Sequence, residues 1–291
     1  MKFNRLLQGL FIILILHSCA TQKLTGEGET AYQAGDYGSA LNAWDQVIEK
    51  YESKGERADA GIYYKAGLAA RELDQPKKAR DYLETAEYLE FSSPRLYATL
   101  AEINKKFDNL SKEIEALEGY HKNYPQGDRI NAVTVRLFET YVESEQWKKA
   151  ADIWPEIKNQ AQSDSDLLTQ YLTVNKKLEN DALCNKLSDQ ILELDPDNTI
   201  ALEWNARRYF WKAEDVYVKE MKDYKNNRTT SQYDRLLNKL DEVYPTFEKS
   251  LDYFLKLYEV DPKPKYAEYI GNIYKRLQEE DKADYYYEKA K

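Results

Sequence analysis

Apolar side chains recur three and four positions apart from about residue 30 to the end of the chain, and no stretch alternates with period two between hairpin turns. This pattern predicts helices throughout and no sheet. A tetrad repeats within it: a small residue, a Tyr three positions later, an Ala nine after that, and a large aromatic four further on. Gly271, Tyr274, Ala283 and Tyr287 form its clearest copy, with near-copies in Tyr141, Ala150 and Trp154 and in Gly28, Ala40 and Trp44. Gly35-Asp36 and Asp74-Gln75 supply turn chemistry between the two helices of the first two units. Pro125, Pro196 and Pro262 stop the second helix of other units, because proline lacks the amide proton and crowds the preceding turn. The elementary unit is thus a helix-turn-helix, and repetition of such units builds a continuous core by stacking.

Fixing the start of each second helix by its small residue gives Ala40, Ala79, Glu113, Ala150, Cys184, Ser250 and Ala283, separated by 39, 34, 37, 34, 66 and 33 residues. Small residues let the two helices of a unit approach closely, and bulky ones fill the space between units. Two units depart from the pattern: the third carries Glu113 and Asn104 at tetrad positions, the fifth Leu172 and Ser188. The 66-residue interval marks an insertion. Tyr233, Leu237, Leu240, Tyr244, Phe247, Leu251, Phe254 and Tyr258 follow alternating spacings of 4 and 3, a heptad seam, and Phe210, Ala213, Tyr217 and Tyr224 form a complementary stripe. With the polar turn 225–232 between them, these predict an elongated helical hairpin over 199–260, kinked or broken at Pro245. Its aromatic side chains, Trp211, Tyr217, Tyr224 and Tyr233, are candidates either for packing inside the arm or for meeting a partner.

The tetrad, the spacing near 34 residues and the terminal prolines resemble the tetratricopeptide repeat (TPR) family over roughly residues 26–291. The resemblance implies an all-α, right-handed superhelix (α-solenoid) of about seven hairpins, the sixth elongated by the inserted arm. It also implies a concave groove lined from the first helix of each unit, here by Tyr32, Tyr64, Arg71, Arg95, Lys105, Lys106, Glu139, Glu143, Lys176, Lys177, Asn272 and Arg276. The family's two-carboxylate clamp is not reproduced, its nearest counterpart being Glu268 with Asn272. A protein or peptide segment is the partner such a groove implies.

The first residues follow a different logic. Lys2 and Arg5 precede an apolar run, Leu6 to Leu16, that is too short for a permanent span, and Leu16-His17-Ser18-Cys19 closes it. This resembles a bacterial lipoprotein signal peptide (1–18), which implies a lipidated Cys19, a short polar tether over 19–29, and the helical array over 30–291. Ala20 after the cysteine favours the outer membrane over the inner one by the same resemblance. Two or three acyl chains anchor a protein without help from a basic patch. Loss of residues 1–18 moves the formal charge from −9 to −11, which disfavours nucleic acid and anionic headgroups. Cys184 is then the remaining thiol, so no internal disulfide is expected, and its tetrad position makes it a packed core residue.

Catalytic and metal chemistry find no support. Without residues 1–18 and with Cys19 acylated, one His, His121, and one free Cys, Cys184, cannot build the usual zinc sites, and neither a calcium loop, a nucleophile elbow nor a phosphate-binding glycine loop is present. No cofactor is expected. The sequence therefore points to a non-catalytic interaction scaffold in the bacterial cell envelope, with outer-membrane protein assembly or secretion as its setting. The alternative is a glycan-binding accessory lipoprotein of an outer-membrane nutrient uptake system.

Overall fold

A computed structural model describes residues 21–291; Cys19 and the signal segment lie outside the described residues. Fourteen helices follow one another in pairs, with no strand among the described residues. The first pair is α1 (21–33) and α2 (Tyr37–Glu52), followed by α3 (Ala60–Glu72) with α4 (Pro76–Tyr88) and α5 (Pro94–Lys106) with α6 (Leu110–Asn123). Next come α7 (Ile130–Glu143) and α8 (Trp147–Ala161), then α9 (Ser165–Lys177) and α10 (Asp181–Leu194). The long pair is α11 (Thr199–Asn226) and α12 (Thr230–Val260), and α13 (Pro264–Arg276) with α14 (Glu280–Lys289) ends the chain. Two compact units divide at Thr140/Tyr141. In the first, α2 to α6 pack in succession; in the second, α8 to α14 do so, and α9 also touches α11.

The tetrad is the packing code of these hairpins. Ala40, Ala79, Ala150, Cys184, Ser250 and Ala283 are all 0% exposed, and Glu113 is 3% exposed at the same position. Its small first residue is pressed against the large fourth one of the same hairpin. A Cβ built on Gly271 would lie 2.8 Å from the Tyr287 ring, and one on Gly28 would lie 2.6 Å from Trp44 Nε1. The large aromatic therefore fills space inside its own hairpin, not only between units. In the fifth hairpin the sizes are exchanged: Leu172 and Ser188, both 0% exposed, conserve the volume in reverse order. Enlarging Ala283 to Leu should overpack the last hairpin and lower stability by about 1–3 kcal/mol, measurable by urea unfolding.

Each short turn between paired helices holds one residue in the left-handed region: Gly35, Asp74, Asp108, Glu145, Glu179 and Gln278, with φ between 52° and 79°. The next amide closes the helix end by bonding back over five residues, as Gln75 N does to Ala70 O (2.9 Å) and Glu279 N to Tyr274 O (2.9 Å). The α11–α12 pair lacks this turn and closes with Asn227–Thr229 instead, Thr229 capping α12 through the Gln232 amide.

Three expectations need correction. The expected tether is helical: residues 21–33 form α1, because Gly28 packs beneath Trp44, Lys23 pairs with Glu27 across one turn, and Glu29 bonds Lys65 of α3. Pro245 neither ends nor splits α12, which runs unbroken from Thr230 to Val260. The arm's seam is shifted in part: Leu240, Phe247, Leu251 and Phe254 are buried as expected, but Leu236, Val243, Ser250 and Leu257 are buried as well, whereas Tyr233 and Leu237 are 46% and 43% exposed. Otherwise the elongated hairpin over 199–260 is as expected.

Candidate functional site

In the first unit the exposed face of the first helices carries a continuous ladder of polar contacts. Arg95 donates to the Tyr32 hydroxyl (3.1 Å) and to Glu72 (3.4 Å); Arg71 bridges Glu72 (3.1 Å) and Glu102 (3.1 Å); Arg129 reaches Glu102 (3.1 Å). The chain Tyr32–Arg95–Glu72–Arg71–Glu102–Arg129 thus links α1, α3, α5 and the segment leading into α7. It forms because equivalent positions of stacked hairpins stand side by side, so residues far apart in sequence meet. Burial lifts the Tyr32 phenol above its usual pKa even with Arg95 at its oxygen, which keeps its proton in place.

The ladder is open to water: Arg95 is 51% and Arg129 59% exposed at the side chain. Exposed ion pairs of this kind contribute little stability, about 0–1 kcal/mol each. A partner's carboxylate or backbone carbonyl can therefore replace Glu72 or Glu102 at small cost. Two clefts border the ladder and share Glu102 and Lys105. One, of about 480 Å³, runs along Arg71, Ile103 and Lys106, and the other, of about 250 Å³, lies over Ala98, Leu117 and Val133. Beneath the second, Glu113 and Arg136 form a two-pronged ion pair (2.7 and 3.1 Å), the carboxylate almost fully buried, while Arg136 also holds Glu139 (3.1 Å). Three arginines against two glutamates, with Lys105 and Lys106 at the edge, make this face basic within an acidic chain.

The residues expected in the groove divide accordingly. Tyr32, Arg71, Arg95, Lys105 and Lys106 belong to the ladder face, and Glu139 sits beside it on Arg136. Tyr64 instead stacks on Phe91 at 4.4 Å, bracing the loop after α4. In the second unit Glu143 is exposed at the end of α7, Lys177 lies over the Trp147 ring, and Lys176 borders a separate cleft. Asn272 accepts from the Tyr287 hydroxyl (3.0 Å) inside its own hairpin. Arg276 is held by Glu214 (2.6 and 2.9 Å) and covers the Tyr217 ring, so both serve as internal fastenings. Glu102, at a groove position of the third unit, joins the ladder, and Glu72 and Arg129, which position counting does not reach, complete it.

The arm's aromatics divide too. Tyr217 packs on Phe247 and Tyr224 on Tyr233, so the stripe mainly serves the arm, whereas Trp211 is 51% exposed. Cys184 is fully buried, its thiol pKa pushed up to about 11 by burial and then by nearby Asp181, as befits an unreactive core residue.

No protein-family model matches the chain, nor does any curated protein. Solved structures do. A protein of Bacteroides ovatus, described as a candidate protein-binding protein, is similar over 76% of this chain and 99% of its own, at 19% identity and a TM-score of 0.52. A tetratricopeptide repeat protein of Parabacteroides merdae is similar over 93% of this chain and 92% of its own (13% identity, TM-score 0.41). YrrB, a TPR protein with an unusual peptide-binding site, is similar over 63% and 96% (16% identity, TM-score 0.44). The first likeness extends to fold. Together with the tetrad buried in its hairpins, it makes this an all-α array of helical hairpins, in keeping with the tetratricopeptide resemblance of its sequence.

Proposed function

We propose that this protein is a non-catalytic scaffold of the bacterial cell envelope that holds an extended segment of another protein on the ladder face of its first unit. The observation that carries the reading is the ladder itself: six side chains from successive hairpins, four of them exposed and all weakly paired, set beside two clefts. A groove of this make-up favours a segment that combines acidic side chains with free backbone carbonyls. The similar Bacteroides ovatus protein, described as a candidate for protein binding, agrees with a protein partner. Lipidation at Cys19 would place the scaffold at a membrane, by preference the outer one, and assembly or secretion of outer-membrane proteins is the setting this reading favours.

The test is crosslinking with mass spectrometry in the native host, comparing the natural chain with a double variant, Arg71→Glu and Arg95→Glu. Reversing two exposed arginines should leave the helical circular dichroism unchanged, weaken capture of the partner by about tenfold or more, and make the residual binding less sensitive to salt. Undiminished capture by the folded variant would sink the reading. Replacing Cys19 by Ala should move the protein from the membrane to the soluble fraction and abolish incorporation of labelled palmitate.

A further inference from the structure

The second unit contains a cleft of about 400 Å³ between α9, α10 and α11 that the ladder does not explain. Trp204 and Trp211 both line it, seven residues apart on one helix and so about 10 Å apart along its axis. Trp204 is fixed in plane by donating its indole N–H to Asn185 (2.9 Å). Trp211 stands half exposed, its ring set edge-on against Phe210. An indole combines a flat apolar face with one polar edge, the make-up that suits a surface meeting a ligand which is apolar on one side and wet on the other.

The polar groups around these rings are of mixed kind. Arg207, between the two tryptophans in sequence, is already engaged: it holds Glu203 (2.9 Å) and covers the Tyr269 ring. Lys176 and Asp181, also lining the cleft, form no ion pair among the described residues and carry opposite charges. One unused donor and one unused acceptor thus border the same cleft as the two indoles. A strongly anionic ligand would meet Asp181 with like charge, and a cationic one would meet Lys176 and Arg207. A neutral polyhydroxyl ligand fits all of them. Each hydroxyl both donates and accepts, so neighbouring hydroxyls of one sugar can serve Asp181 and Lys176 together. The apolar C–H face of a pyranose covers an indole ring, and two plates about 10 Å apart suit two residues of one oligosaccharide chain. The cleft volume falls in the range of small-ligand sites.

The geometry points to a carbohydrate-binding cleft at Trp204 and Trp211, with a neutral oligosaccharide as its ligand. This site is independent of the ladder face, so either can fail without the other.

The test uses the full mature chain and a panel of neutral tri- to hexasaccharides: cello-, xylo-, malto-, laminari- and chito-oligomers. Tryptophan emission and calorimetry should show saturable binding of at least one series at millimolar or lower concentration. Trp211→Ala, a change at an exposed position, should weaken it by about tenfold or more, and Asp181→Asn should weaken it less. The Arg71→Glu and Arg95→Glu variant should bind sugar as the natural chain does. Overturning results are no response to any series, binding that survives Trp211→Ala, or acidic peptides that quench Trp211 where no sugar does.

Discussion

Replacing Glu113 with Ala should lower the unfolding free energy by about 2–3 kcal/mol. Glu113 occupies the position where most hairpins place Ala, yet it is the most buried carboxylate of the ladder region and grips the Arg136 guanidinium with both oxygens. Removing one member of a buried pair costs about 3–5 kcal/mol because the other charge is left uncompensated. Here the penalty is smaller: the Arg136 side chain is 20% exposed and retains Glu139. A double variant, Glu113→Leu with Arg136→Met, removes both charges at similar volume and should recover most of the loss. Urea unfolding followed by circular dichroism reads both. If the double variant is no more stable than the single one, the pair is net stabilising and not merely self-compensated. Either outcome bears on function, since Arg136 forms the floor of the cleft beside the ladder and sets how rigidly that face is presented.

The hairpin plan was legible in the sequence because its code is local. Small and large residues sixteen apart meet within one hairpin, as Gly271 meets Tyr287, and Pro125, Pro196 and Pro262 each stand two residues past a helix end, although Pro245 is absorbed within α12. The same code already implied that Gly28 lies in a helix paired with Trp44, and only the polar composition of 19–29 argued for a tether. The ladder was half legible. Tyr32, Arg71, Arg95 and Glu102 fall at groove positions, but Glu72 and Arg129 enter through contacts between hairpins, which depend on how neighbouring units stack. Asn272 and Arg276 failed for the converse reason. Tyr287 and the base of the long arm, through Glu214, satisfy them in advance, and no repeat pattern reveals that an insertion brings its own carboxylate to α13. The second cleft depends on an arrangement of α9, α10 and α11 that spacing along one helix cannot supply.

The arm offers the sharpest energetic contrast, between two adjacent leucines. Leu236→Ala should cost about 2–4 kcal/mol and Leu237→Ala no more than about 0.5 kcal/mol. Counting apolar residues favours a seam through Leu237 and Tyr244, since those positions read as hydrophobic and Ser250 does not. In the folded arm the buried heptad passes instead through Leu236, Val243 and Ser250. Ser250 fits because its hydroxyl donates to the Ala206 carbonyl (2.8 Å), so a small polar residue lies fully buried where α11 and α12 come close. The shift is stabilised further out by Arg235, which holds the buried Glu220 with two bonds of 2.8 Å and so fixes α12 against α11 one residue before Leu236. Parallel urea titrations of the two alanine variants measure the difference directly. Equal losses would mean that the arm samples both registers in solution, and Leu237 would then be part of its core. The expected inequality leaves Leu237 and Tyr233 as exposed apolar groups on a rigid arm whose own packing does not need them.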